Sequence, residues 1–438
     1  EFVWLERHLR PAEADEVMAL GVAGVRKRRE FRRYYPTAEV SSHVVGFTGI
    51  DDRGQEGLEL AFDEALSGQP GRKRVVQDRH GRVVEALQQL RPAEPGQDVR
   101  LSIDRRLQYL AYRELKSAVT RHDARAGSLV MLDVATGEVL AMVNQPAFNP
   151  NDRDARSGAV VRNRAATDVF EPGSTMKPMT IAAALATGRF EPSTPVFSAP
   201  DQMTVGGHTI TDDRDLGSVD VTEVVQRSSN VGASRIALSL EPRAMWRTFA
   251  QFGLGAPPGS GFPGEASGQL TPPGQWGPVE QATMAFGYGV AVTPLQLARA
   301  YAAIANDGVR PRVRFRASDG AESRGAGERI LAQETAREIQ RMLDGAVSPR
   351  GTGQRAAVTG YNVAGKTGTA HKLAERGYAE DRYRAVFAGF APVGDARIAA
   401  VVMLDEPQGE QYYGGQVAAP VFAQTMAGAL RLLQQPQR

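Results

Sequence analysis

The strand-like runs of this chain fall into two groups separated by a long helical stretch, and that spacing limits its fold more than any other feature. The early pair, Ser128 to Val134 and Glu138 to Val143, is apolar and split by Ala135-Thr136-Gly137, which reads as an antiparallel hairpin. The late runs are Tyr361 to Ala370, Arg384 to Ala391 and Arg397 to Leu404. Between about Pro172 and Gly308 the pattern is mainly helical, with a Pro/Gly-rich insertion from Gly255 to Pro278, and a helix from about Pro420 to Leu433 closes the chain. A sheet made from an early hairpin and late strands, with helices inserted between them, is an α+β arrangement. It needs both ends of its sequence, so truncation at either end is expected to unfold it.

The first hundred residues read differently. Leu58, Leu60, Phe62 and Leu66 suggest a helix closing at Gly68, and Arg72 to Asp78 with Val83 to Leu87 flank Arg79-His80-Gly81 as a hairpin. The densest feature is Arg26-Lys27-Arg28-Arg29-Glu30-Phe31-Arg32-Arg33; a solvated face or inter-domain contact is favoured there over a nucleic-acid or lipid-headgroup site. Arg91-Pro92-Ala93-Glu94-Pro95-Gly96 is a plausible joint. The expected division is a supporting domain over 1–100 and a second domain over 101–438, the latter opening on Asp104 as the cap of a helix whose Leu107, Leu110, Ala111 and Leu115 share one face.

Composition removes several function classes. With 438 residues and 42% hydrophobic content the chain can bury a large core, and a formal net charge of +2 gives no reason to expect a nucleic-acid partner. Cysteine is absent, which excludes disulfides and thiolate chemistry, and the six histidines show no ligand spacing, so neither metal nor cofactor is expected. No run of about eighteen apolar residues is present, and Glu1 to Arg10 lack the regions of a signal peptide, so an upstream segment is expected to precede them.

Three short segments carry chemistry. In Phe170-Glu171-Pro172-Gly173-Ser174-Thr175-Met176-Lys177-Pro178, Pro178 belongs in the first turn of a helix, which sets Ser174 at the helix N-terminus where free N–H groups stabilise negative charge. Lys177 is one turn on, on the same face; burial beside a second cation, for which Lys366 is the candidate, would leave it neutral and able to deprotonate the serine. Alone, Ser-x-x-Lys arises often by chance. In Ser228-Ser229-Asn230, Ser228 could relay a proton and the Asn230 amide could hold a substrate backbone, although a turn or cap is the commoner meaning. In Gly365-Lys366-Thr367-Gly368-Thr369, a lysine inside an apolar strand calls for a carboxylate ligand, Gly368 would let a peptide approach the strand edge, and Thr367 and Thr369 offer hydroxyls. The N–H groups of Thr369 and Ser174 could together form an oxyanion hole.

In this order the three segments are strong together, and the chain resembles the class B penicillin-binding proteins, in particular the division-specific peptidoglycan D,D-transpeptidases of the penicillin-binding protein 3 type. Arg162-Asn163-Arg164-Ala165, Met284 to Gly289 leading to Thr293-Pro294-Leu295-Gln296, and Phe387 to Pro392 share the likeness, and Arg33 to Pro36 and Gly54 to Glu59 look like the pedestal of that group. The resemblance implies a serine β-lactamase-like fold with a five-stranded antiparallel sheet flanked by helices, above an N-terminal pedestal. It implies Ser174 as nucleophile, Lys177 as general base, Ser228 and Asn230 as second motif, and Lys366, Thr367, Gly368 and Thr369 as carboxylate-binding strand, with Tyr288 and Tyr383 lining the groove. It further implies a stem pentapeptide donor, an acceptor stem peptide, acylation by β-lactams, divisome membrane partners including a septal glycosyltransferase, and a periplasmic catalytic domain held to the inner membrane by an anchor outside this sequence. The usual Arg-Gly-containing pedestal motif is missing.

Two rival readings stay open at this level. A serine β-lactamase would share the chemistry but hydrolyse its acyl-enzyme quickly, and no glutamate can be assigned to activate a deacylating water. A β-lactam sensor or division scaffold would keep an acylatable serine without turnover.

Overall fold

The computed structural model describes residues 2–79, 83–318, 327–374 and 377–434. Its centre is a five-stranded antiparallel sheet built from β1 (Ala126–Asp133), β2 (Val139–Gln145), β3 (Ala364–Ala374), β4 (Gly377–Ala391) and β5 (Ile398–Asp405). The spatial order is β3-β4-β5-β1-β2, so the late strand β5 lies against the early strand β1, with Val401 opposite Val130. Both sequence ends of the sheet are therefore required, as the split pattern predicts, and β3 is left as an open edge.

The sheet is covered on both faces, and the period of two along each strand sorts side chains between them. Leu129 and Met131 of β1, with Ile398, Ala400, Val402 and Leu404 of β5, face helix α1 (Arg105–Arg121) and helix α6 (Ala419–Gln434). Val130, Leu132, Ala399 and Val401 face the opposite cluster, which takes in α2 (Lys177–Leu185), α3 (Asn230–Leu238), α4 (Pro294–Ala305) and α5 (Gln333–Val347). Asp104 caps α1 as expected, its carboxylate accepting from the N–H groups of Arg106 at 2.8 Å and Leu107 at 3.4 Å.

Some boundaries differ from the sequence reading. The late hairpin runs on to Ala374 and resumes at Gly377, beyond the predicted Ala370 and Arg384, because its outer half is mostly charged or polar and lacks the apolar alternation of the inner half. The helix expected across Leu58 to Leu66 is two helices, Gly57–Ala61 and Asp63–Ser67; the chain leaves helical geometry at Phe62, φ −111°, and the Asp63 carboxylate turns back to the Gly54 N–H at 2.8 Å. The predicted early hairpin is present as Arg72–Gln77 paired with Val83–Arg91, while the center of its turn, His80 and Gly81, lies outside the described residues.

The first region leans on the second. Tyr35, Phe47 and Phe148 form one buried cluster, and Val44 and Leu58 join the core beneath the sheet. Gln108 of α1 donates to the carbonyls of Val40 and Met142, both at 2.9 Å, and Asn163 donates to that of His43 at 3.0 Å. The basic run makes ion pairs and inter-region contacts: Arg33 meets Glu59 at 2.6 Å, Lys27 pairs with Asp15, and Arg32 donates to the Asn151 carbonyl at 2.8 Å. Among the described residues no helix is long and apolar enough to cross a membrane.

Candidate active site

Ser174 lies in a single 3₁₀ turn, Gly173–Met176, that runs into α2, with Pro178 in the first turn of that helix where its missing N–H costs nothing. The turn is held from below by buried bonds: Thr175 Oγ1 donates to the Pro172 carbonyl at 2.7 Å, and Tyr301 Oη donates to the Thr175 carbonyl at 2.9 Å. Gly173 has φ +55° and its N–H donates to the Gly287 carbonyl at 3.3 Å. A Cβ on Gly287 would stand 2.2 Å from the Gly173 oxygen, so only glycine fits there.

Lys177 reaches back one turn, as predicted, with Nζ 2.9 Å from Ser174 Oγ. The same amine meets the Ser228 carbonyl at 2.5 Å, Ser228 Oγ at 3.0 Å and Asn230 Oδ1 at 2.8 Å. Lys366 Nζ approaches Ser228 Oγ from the other side at 2.9 Å, so one hydroxyl touches both lysines. To stand there Ser228 takes a left-handed backbone, φ +64°, a conformation costing roughly 1–2 kcal/mol for a residue with a Cβ. The Asn230 amide is turned inward: its oxygen accepts from Lys177 and its nitrogen donates to the Thr211 carbonyl at 2.9 Å. The amide thus orients the lysine, and Asn230 also lines the cleft, where its second N–H remains to meet a substrate backbone.

Both lysines are completely buried. Burial first, and then the charge of Lys366, push Lys177 well below the ordinary lysine range, against the pull of Asp212 and Asp213. Burial alone lowers Lys366 to about 7. Its remaining partners among the described residues are the Thr352 hydroxyl at 3.3 Å and the Thr367 carbonyl and hydroxyl at 3.3 and 3.4 Å, none of them a carboxylate.

Gly368 serves a purpose other than the one its sequence suggests. A Cβ there would lie 2.7 Å from the Pro172 carbonyl and 3.0 Å from Thr175 Cγ2, so the missing side chain admits the serine turn itself and not an incoming peptide. The open edge of β3 still offers hydrogen bonds. The His371 N–H points outward to Tyr288 Oη at 3.2 Å, and alternation along the strand aims the Thr369 N–H out of the same edge, beside the Ser174 turn. The Thr369 hydroxyl accepts from the Gly414 N–H at 3.0 Å and keeps its own proton to give, whereas the Thr367 hydroxyl donates to Thr352 at 2.9 Å.

These groups face a cleft of about 660 Å³ lined by Ser174, Ser228, Asn230, Thr367, Thr369 and Tyr413 among others. Tyr288 and Tyr383 are not among the lining side chains. Tyr288 packs edge-on against Tyr378 at 5.1 Å with its hydroxyl on the His371 N–H at the open edge, and Tyr383 stacks on Tyr412 at 4.2 Å with its hydroxyl on the Glu380 carbonyl. The aromatic that reaches the cleft is Tyr413.

Sequence reasoning missed Asp212, which holds the second motif in place. It accepts from Ser229 Oγ at 2.5 Å, Ser198 Oγ at 3.1 Å, the Val231 N–H at 3.1 Å and the Asn230 N–H. Nothing local separates it from Asp213 and Asp215 in the same loop. Thr352 was missed for the same reason, since only the fold brings it to Lys366.

A five-stranded antiparallel sheet with helices on both faces, and a serine-lysine pair beside a lysine-bearing edge strand, define the penicillin-recognising serine proteins. The chain belongs to the penicillin-binding protein family: residues 127–427 match the penicillin-binding protein transpeptidase domain and residues 3–101 the penicillin-binding protein dimerisation domain. It is 43% identical to a probable peptidoglycan D,D-transpeptidase, PbpC, of Pseudomonas aeruginosa, across 99% of this chain and 76% of that one. It is 42% identical to the peptidoglycan D,D-transpeptidase FtsI of Escherichia coli, across 99% and 72%. The apo transpeptidase domain of Burkholderia pseudomallei penicillin-binding protein 3 superposes with a TM-score of 0.71 at 45% identity, covering 78% of this chain and 98% of that one.

Proposed function

We propose that this chain is a peptidoglycan D,D-transpeptidase of the division type, acting through an acyl-enzyme on Ser174 and acylated there by β-lactams. The observation that carries the reading is the hydrogen-bond inventory of Lys177. A neutral amine has two N–H groups and one lone pair, and the Ser228 carbonyl and Asn230 Oδ1, which can only accept, use both N–H groups. The lone pair is left for a hydroxyl proton, and the two hydroxyls in reach are Ser174 Oγ at 2.9 Å, the nucleophile, and Ser228 Oγ at 3.0 Å, the relay.

In the first half-reaction Ser174 Oγ attacks the carbonyl carbon of the penultimate D-alanine while its proton passes to Lys177. The oxyanion would be held by the N–H groups of Ser174 and Thr369. The C–N bond to the terminal D-alanine breaks, and Ser228, touching both lysines, returns a proton to the leaving amine. In the second half an acceptor stem-peptide amine attacks the ester carbonyl, the new C–N bond of the cross-link forms as the C–Oγ bond breaks, and the proton lost by the amine passes to Ser174 Oγ through Lys177 and Ser228. Lys366, buried and without a carboxylate partner among the described residues, suits the terminal carboxylate of the donor stem pentapeptide or the carboxylate of a β-lactam.

Against a β-lactamase stands the cleft lining. Among its described residues the carboxylates are Asp212 and Asp213, no glutamate is present, and the oxygens of Asp212 already accept from four donors. The family kinship supports a catalytic domain on the periplasmic side, a membrane anchor outside this sequence, and divisome partners including a septal glycosyltransferase. The test is mass spectrometry after exposure to benzylpenicillin. One adduct on Ser174, absent in Ser174→Ala and persisting for many minutes, is expected; fast nitrocefin turnover, or D-alanine release undiminished in Ser174→Ala, would overturn the reading.

A further inference from the structure

Three segments must keep fixed distances for Ser174 to work beside β3: the serine turn, the loop 287–289 beneath it, and the outer half of the β3–β4 hairpin. Gly173 ties the turn to the loop through the Gly287 carbonyl, and Tyr288 ties the loop to β3 through the His371 N–H, two residues from Thr369 on the same edge. Backbone bonds from Gly287 and Tyr288 to the Met284 and Thr283 carbonyls hold the start of the loop, which leaves its far end at Gly289 to be fixed.

Glu171 sits at that place. It is 7% exposed, three residues before Ser174, and one carboxylate oxygen accepts from the Gly289 N–H at 2.7 Å and from Tyr378 Oη at 2.9 Å. Tyr378 comes from β4, and its ring packs edge-on against Tyr288 at 5.1 Å. Glu171 therefore touches the loop directly, the hairpin through Tyr378, and the serine turn through its own backbone. Its burial raises its pKa, a cost that the two donors and the more distant charge of Arg384 partly offset, and neither hydrogen-bond donor is a cation.

We infer that Glu171 is a positioning residue that, with Tyr378 and Tyr288, clamps the outer end of β3 onto the serine turn and so sets the distance between the Thr369 and Ser174 N–H groups. The inference rests on the acyl-transfer reading above. It acts on the reacting step and not on the first encounter, because Glu171 lies outside the cleft lining.

The experiment is stopped-flow acylation of the full chain by a reporter β-lactam, separating the non-covalent dissociation constant from the first-order acylation constant. Glu171→Ala should lower the acylation constant by about tenfold or more, as misplacement of one oxyanion donor would, with little change in the dissociation constant. Glu171→Gln keeps an oxygen able to accept from both donors and should recover most of the rate, and Tyr378→Phe should show a smaller loss. A Glu171→Ala protein that acylates at the wild-type rate sinks the clamp, as does a rate loss that Gln fails to rescue or one that matches the fraction of unfolded protein by circular dichroism. An unlabelled wild type would instead sink the acyl-transfer reading and the clamp with it, so the two failures are distinguishable.

Discussion

Ser228 is where two buried amines meet on one hydroxyl, and the proton balance of the pair sets both rate and stability. In the unfolded chain each lysine holds its proton up to about its ordinary value of 10.5, whereas in the fold Lys366 releases it near 7. Between those limits the unfolded state binds more protons than the native one, so stability must rise with pH. Well below pH 7 Lys366 is protonated in both states and its contribution to the slope vanishes. Each such lysine adds at most about 1.4 kcal/mol per pH unit. Urea unfolding between pH 7 and 9.5 should therefore show a rising free energy in the wild type and a flatter curve in Lys366→Met. Parallel curves for the two proteins would mean that Lys366 is not titrating in that window. The same variant loses the cation whose charge helps hold Lys177 neutral, so its acylation should also fall at pH 7.

The elements show which part of the site a sequence can disclose. Pro178 announced the start of α2 and Asp104 that of α1, because caps and prolines act within one turn and leave a local mark. The lysine spacing was equally local. Asp212 and Thr352 left no such mark, since each works through groups brought to it by distant segments, and the outer hairpin holding Tyr378 lacks the apolar alternation by which strands are recognised. Gly368 was legible as a close approach but not as to what approaches. If β3 is seated against the serine turn through that missing side chain, Gly368→Ala should push the strand outward, since its Cβ would fall 2.7 Å from the Pro172 carbonyl. Acylation should drop about a hundredfold, the cost of roughly 1 Å of displacement, while the midpoint of thermal unfolding falls by only a few degrees. Kinetics like those of the wild type would show that the turn yields instead.

At the scale of the whole molecule the sheet order separates two kinds of truncation. A chain ended after Ala391 loses β5, the strand between β4 and β1, and with it α6, so the core on both faces is opened and no cooperative unfolding transition should remain. Removal of 1–100, the proposed boundary of the supporting region, differs in kind. It uncovers Phe148 and removes Val44 and Leu58 from the core, a loss of roughly 1.5–3 kcal/mol for each large apolar side chain, and it takes away the Val40 carbonyl from Gln108. Yet the groups that hold the Ser174 site in place, Asp212, Tyr301, Thr352 and the 287–289 loop, all come from the remainder. The chain 101–438 should therefore melt at a lower temperature than the full chain but label with fluorescent penicillin at a rate close to it. If it folds and fails to label, the first hundred residues shape the cleft as well as supporting it, and the division near residue 100 is wrong as a functional boundary.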